Sequence, residues 1–360
     1  MSAYDLVVLG LSLSSSWGNG HATTYRGLLK AYAAKGFRIL FLERDQPWYA
    51  ENRDLLAPDY CSLAFYRDLD GLENYRNEIA KAGAVMVGSY TPDGAAVCAF
   101  VQTHARGVTA FYDIDTPVTL AALDRDECAY LSPKLIPGFD LYLSFTGGPI
   151  LSHFERAFGA KAARTLYCAV DPELYRPLQT QPQFDLGYIG TYAEDRQSVI
   201  ERLLIEPARR APDLRFIVAG PQYPETIDWP ANVLRIDHVA PRDHSAFYNS
   251  CRFTLNATRR DMVRAGYSPS VRLFEAAACG APIISDAWDG LESLFAFGTE
   301  ITVARDVADV LRALREISEP ERKKIAKRAR EKVLGAHTAA HRADQLAGYI
   351  AQAARAAAPA

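Results

Sequence analysis

Short apolar runs alternate with helix-like stretches along nearly the whole chain, and this alternation constrains its fold more than any other feature. In the first half, residues 5–11, 38–42, 84–88, 108–112 and 140–145 read as buried strands, with a helical pattern over 21–34. In the second half, residues 184–190, 214–219, 233–236, 253–255 and 282–285 repeat the arrangement. A helix between two strands must cross one sheet face, so such a series lays its strands down parallel. The expected fold class is therefore α/β, with two Rossmann-like domains. Between them lies YCAVDPELYRPLQTQPQF, where Pro172, Pro177, Gln179, Gln181, Pro182 and Gln183 mark a linker over 171–183. The expected division is 1–170, the linker 171–183, 184–336, and a terminal helix over 337–360.

A chain of 360 residues, 49% hydrophobic and 23% charged, can bury two cores. A formal net charge of −3 gives no global attraction to nucleic acid, so no nucleic-acid partner is expected. Cys61, Cys98, Cys128, Cys168, Cys251 and Cys279 show neither C-x-x-C nor zinc spacing and read as reduced core residues. No apolar run approaches the roughly 20 residues of a membrane span, and no basic segment precedes the first strand. The expectation is a cytoplasmic protein. The basic run ERKKIAKRAREK over 321–332 reads as a solvated helix face, with weak contact to a membrane surface as the alternative.

The segment RAGYSPSVRLFEAAACGAPIISD, 264–286, is the most informative about function. Val271, Phe274, Ala277 and Ala278 recur at helical spacing, Gly280 and Pro282 stop the helix, and Ile283 and Ile284 continue as a strand. Glu275 therefore sits on a helix beside a sheet; a solitary glutamate there is ordinarily just an exposed carboxylate. Ser268, Pro269 and Ser270 open that helix, whose first amides attract anions. Arg272, three residues before Glu275, either faces the same site or forms a structural ion pair with it. In GYIGTYAEDRQ, Gly187 and Gly190 permit a close turn and Arg196 follows, which reads as a phosphate site or as a tight turn with a surface arginine.

These segments resemble the GT-B glycosyltransferases of the group 1 type, and more narrowly their CgeB-like branch. FEAAACGAPIISD is similar to that family's glutamate element, CAVDPELYRP to the segment ending its N-terminal domain, and the Gly190 turn to its phosphate loop, with Thr191 in the usual arginine place and Arg196 near the usual lysine. The resemblance implies GT-B architecture, with two domains facing an interdomain cleft. It implies transfer of a sugar from a nucleotide-diphosphate sugar, UDP favoured, to a hydroxyl acceptor, without a cofactor or metal. Glu275 would accept the ribose hydroxyls, while Gly190, Thr191, Arg196, Ser268, Ser270, Val271 and Arg272 would surround the diphosphate, and His238 would lie in the loop over the base. The family often carries a second glutamate eight residues before the first, where this chain has Tyr267.

In the N-terminal half, LSLSSSWGNGHATTYRGLL and AYAAKGFRILFLE are similar to the family's glycine loop and its following strand, making Gly18, Gly20 and His21 cleft candidates. A nicotinamide-binding domain is the competing reading, since Glu43 ends the second strand as a ribose-binding acid would. The loop between Gly10 and Gly20 is long for that fingerprint, and Thr23 stands at its third glycine position. In FYDIDTPVT, Asp113 and Asp115 form a D-x-D that would hold a metal in another transferase class, but Pro117 signals that the strand has ended. The resemblance implies an N-domain Asp, Glu or His as general base in inverting members. Asp115 and His21 are the candidates, with a helix N-cap as the alternative for Asp115. A nucleotide-sugar epimerase and a non-catalytic sugar-nucleotide-binding protein are the rival functions.

Overall fold

A computed structural model describes residues 4–17 and 20–357. The chain divides into two compact units, one formed by the described residues up to Ala169 together with those from Ala339 onward, the other by Val170–Thr338.

The first unit holds a seven-stranded parallel sheet in the order β3-β2-β1-β4-β5-β6-β7. Its strands are β1 Leu6–Gly10, β2 Ile39–Arg44, β3 Ser62–Tyr66, β4 Ala84–Gly88, β5 Val108–Asp113, β6 Leu141–Ser144 and β7 Ala163–Thr165. Every residue of β1, β4, β5 and β6 is buried, as expected of strands covered on both faces. Tyr25, Leu28 and Leu29 of the helix Gly20–Ala33 pack with Val8, Phe41, Met86 and Tyr112. The terminal helix Ala339–Ala357 joins this core through Ala343 and Leu346, and Arg342 donates to the carbonyls of Tyr167 and Cys168.

The second unit holds a six-stranded parallel sheet in the order β10-β9-β8-β11-β12-β13. The strands are β8 Phe184–Ile189, β9 Phe216–Ala219, β10 Val233–Ile236, β11 Cys251–Asn256, β12 Ile283–Ser285 and β13 Thr302–Val303. Leu186, Tyr188, Val218, Phe253 and Leu255 pack with Leu203 and Leu204. Residues 171–183, whose composition reads as a linker, are fastened to this unit. Arg176 and Leu178 donate backbone N–H groups to Ser245 Oγ and Asn249 Oδ1, and Gln183 N–H reaches Ser250 O.

Both sheets reverse strand order, between β1 and β4 and between β8 and β11. Crevices at the carboxyl ends of strands flanking such a reversal are the usual ligand sites of open α/β sheets. The basic run 321–332 lies within the helix Glu319–Ala336, which buries Arg322, Ile325, Ala326, Ala329 and Val333. Two of its outer lysines pair with acidic neighbours on the same helix, Lys324 with Glu321 and Lys327 with Glu331, as on a solvated face. Among the described residues no helix is long and apolar enough to cross a membrane.

Candidate active site

In the second unit, the turn after β8 and the helix Val271–Ala278 after β11 bring two arginines to one glycine. A Cβ on Gly190 would lie 2.6 Å from Arg272 Nη2 and 3.1 Å from Arg196 Nη1, so only glycine lets both guanidiniums crowd the turn. Arg272, 8% exposed, donates to Ile189 O at 2.7 Å and stacks over the Tyr188 ring at 4.6 Å. It also reaches Asn256 Oδ1 at 3.3 Å, an atom that accepts the Ser270 hydroxyl at 2.7 Å. Arg196 donates to Tyr188 Oη at 2.6 Å and reaches the Thr191 carbonyl at 3.5 Å. Its buried Nε has no hydrogen-bond partner among the described residues.

All these partners are neutral groups, so two positive charges meet here without a carboxylate between them. Burial by itself would raise the Tyr188 phenol, yet the charges of Arg196 and Arg272 outweigh it and hold the hydroxyl below the ordinary phenol range. Arg272 and Glu275 do not form the ion pair that their spacing allows. The Ser270 hydroxyl, at the N-cap, makes no capping bond to the helix Val271–Ala278, which leaves first-turn amides for an anion.

Glu275 is buried rather than displayed, 5% exposed. Its Oε2 accepts from Tyr248 Oη at 2.9 Å and lies 3.9 Å from His244 Nδ1, while Tyr175 Oη sits 3.1 Å from the same imidazole nitrogen. Burial and the adjacent Glu275 carboxylate keep both phenols protonated, well above their ordinary range. Ser268 is fully buried and His238 exposed. Tyr267, eight residues before Glu275, has a left-handed backbone (φ 48°) and lies so close to Gly290 that a Cβ there would come within 2.5 Å of its ring. Sequence reading missed Tyr188, Tyr248 and His244, because nothing local shows that strand and helix residues converge on a residue far along the chain.

The first unit assembles a second group of polar residues at its own strand reversal. His21, after β1, places Nε2 3.5 Å from Oδ2 of Asp115, after β5, with Tyr90, after β4, edge-on to the imidazole at 5.2 Å. The His21 side chain is 12% exposed and that of Asp115 30%, so the pair is sheltered but reachable. Asp115 stands at the N-cap of the helix Thr116–Asp124, yet its side chain makes no capping bond. Gly20 opens the helix bearing His21, and Gly18 lies outside the described residues.

Residues 12–14, at the start of the loop after β1, are held by Glu43. Its Oε2 accepts from the amides of Leu13 at 2.7 Å and Ser14 at 2.8 Å, and its Oε1 from the hydroxyls of Ser14 at 2.6 Å and Ser12 at 3.1 Å. Both oxygens of this fully buried carboxylate are engaged in clamping the loop after β1, which argues against the ribose-binding role of a nicotinamide site. Asp113 is committed elsewhere too, accepting from Tyr142 Oη at 2.5 Å and Thr119 Oγ1 at 2.7 Å. The two aspartates of the D-x-D thus serve different partners. Among the described residues no group of three or more His, Cys, Asp or Glu is placed to hold a metal ion.

Two parallel α/β sheets in separate units, each reversing strand order beside a group of polar residues, give the GT-B fold. Solved structures share it over almost their entire lengths. A sucrose-phosphate synthase from Thermosynechococcus elongatus superimposes with a TM-score of 0.70 at 14% identity, covering 98% of this chain and 100% of that one. Anabaena HepE in complex with UDP and glucose gives 0.68 at 15%, covering 96% and 99%. The α,α-trehalose 6-phosphate synthase of Burkholderia multivorans gives 0.63 at 11%, covering 99% and 100%. Residues 196–348 match the family model described as glycosyl transferase-like. No curated protein matches the sequence significantly.

Proposed function

We propose that the protein is a glycosyltransferase that moves a sugar from a nucleoside-diphosphate sugar, UDP-linked, to an acceptor hydroxyl. The observation that carries this reading is the convergence of Arg196 and Arg272 on Gly190 beside uncapped helix amides. Negative charge develops on the departing diphosphate, and donors fixed in advance around it are what lower such a barrier. The unpartnered Nε of Arg196 is one donor held ready. Glu275 offers acceptor oxygens to a ribose diol, with Tyr248 fixing the carboxylate. The likeness to HepE, whose complexes hold UDP and UDP-glucose, supports UDP as the nucleotide.

His21 is assigned as general base for the acceptor hydroxyl, with Asp115 orienting the ring and stabilising the imidazolium that forms. Because Asp113 and Asp115 face different partners, the reaction is assigned as independent of a divalent metal. The CgeB-like branch, bacterial glycan synthesis and a cytoplasmic site belong to the same reading. A second reading, nucleotide-sugar binding without transfer, is favoured by Tyr267 in place of a glutamate.

Incubation with UDP-sugars, with and without hydroxyl acceptors, separates the two. Acceptor-dependent UDP release that survives EDTA supports transfer. Saturable UDP-sugar binding with no turnover on any acceptor leaves the binding protein.

A further inference from the structure

The carboxyl ends of β11, β12 and β13, together with the helix Glu194–Ile200 and its continuation Glu201–Ile205, enclose a cavity of about 320 Å3. None of Gly190, Arg196, Arg272 or Glu275 lines it. Three guanidiniums do, from three separate elements: Arg202, Arg260 and Arg305. Nearby Arg259 is held by Asp195 at 3.1 Å and Arg264 by Asp261 at 3.7 Å. In contrast, Arg202, Arg260 and Arg305 are exposed and have no ion pair or side-chain hydrogen bond among the described residues.

The cavity also reaches Asp286, 3% exposed, whose carboxylate accepts from Thr258 Oγ1 at 2.8 Å and Thr258 N–H at 3.3 Å. Like charges gathered around one hollow repel each other, and an anion seated among them relieves that repulsion while taking up free guanidinium donors. We propose that this cavity binds a tetrahedral oxyanion, either inorganic phosphate or the phosphate of a phosphorylated small molecule, at a site separate from the Gly190 turn.

Asp286 gives the site a pH signature. Burial raises its carboxyl to about 6, against the Thr258 hydrogen bonds and the charge of Arg202. The charged groups around it are Asp195 and Arg202 on one wall, Arg260 on the second and Arg305 on the third, with Asp195 engaged by Arg259. An ionised Asp286 opposes an anion and a protonated one does not. Anion affinity therefore rises as pH falls through about 6.

Calorimetry of the full chain with sulfate tests this, because sulfate keeps its charge across the range in which phosphate titrates. Saturable binding is expected, tighter at pH 5.5 than at pH 7.5, and retained in Arg196→Ala. It should weaken about ten-fold or more in the Arg202→Ala, Arg305→Ala double variant, whose exposed positions spare the core. Asp286→Asn should keep binding but lose its pH dependence. Inorganic phosphate and glucose 6-phosphate, compared in parallel, separate the two ligand sources. Absence of saturable binding, loss of binding in Arg196→Ala, or indifference to the arginine substitutions would each overturn the proposal.

Discussion

Nε2 of His21 and Oδ2 of Asp115 lie 3.5 Å apart, although one residue follows β1 and the other follows β5. The strand order β1-β4-β5 places their carboxyl ends side by side, and this brings the imidazole to the aspartate. If this pair removes the acceptor proton, His21→Ala and Asp115→Asn should each cut turnover about 100-fold or more. UDP affinity should stay unchanged, since the nucleotide is assigned to the other unit. The Asp115 side chain makes no capping bond, so steady-state rates near wild type for Asp115→Asn would remove that residue from the proton transfer.

Arg196→Ala removes a guanidinium that the fold leaves without a charged partner. Loss of one charge-assisted contact to the diphosphate is worth about 1.5–3 kcal/mol, roughly ten- to a hundred-fold in UDP affinity. Uridine, which lacks the diphosphate, should bind the variant and the wild type alike. Equal weakening for uridine and UDP in calorimetry would show a collapsed turn rather than a lost phosphate contact.

Glu275 is expected to contribute to both stability and binding, because its carboxylate is the acceptor for the buried Tyr248 hydroxyl. Glu275→Ala strands that hydroxyl and should destabilise the protein by about 1–3 kcal/mol in urea unfolding, besides weakening UDP-sugar binding. Glu275→Gln keeps a neutral acceptor and should restore most of the stability while binding stays weak. A Gln variant that binds UDP-sugar like wild type would remove the carboxylate from the donor site.

Asp113 makes stability depend on pH in a direction opposite to that of a salt-bridged carboxylate. Burial lifts its carboxyl from an ordinary 3.8 to about 6, against the hydrogen bonds from Tyr142 and Thr119. Between those values the folded protein holds a proton that the unfolded chain has released. Stability is therefore greatest at or below pH ~4 as far as this group is concerned, falls as pH rises to about 6, and is level above that. The loss is on the order of 3 kcal/mol. Asp113→Asn should flatten this part of the profile, and buried Asp286 adds a slope of the same sign. Parallel wild-type and Asn curves in urea titrations from pH 4.5 to 7 would contradict the assignment.

The centres of the sheets were legible in the sequence because strands such as β1, β4, β9 and β12 are buried throughout and read as unbroken apolar runs. The edge strands β3, β7 and the two-residue β13 were not read from the sequence for the opposite reason, Thr302 and Val303 of β13 being only partly buried. Ser62 in β3 is exposed, and Arg164 and Thr165 in β7 are only partly buried. Gly190, Arg196, Arg272 and Glu275 stand out in the sequence as a glycine at a turn and a glutamate on a helix, but their assignment to a nucleotide-sugar site rests on the family resemblance rather than on that spacing.

What each of these residues touches was decided only in three dimensions. The chain order of residues does not reveal that Tyr188 sits between two arginines, or that Tyr248 rather than solvent meets Glu275. Nor does it show that Glu43, placed like a cofactor-binding acid, commits both oxygens to the loop after β1. Secondary structure is written in short-range periodicity, whereas the partner of a buried charge is set by which strands lie side by side. In a parallel sheet that order depends on crossovers, and the crossovers bring together residues such as His21 and Asp115 that no local pattern connects.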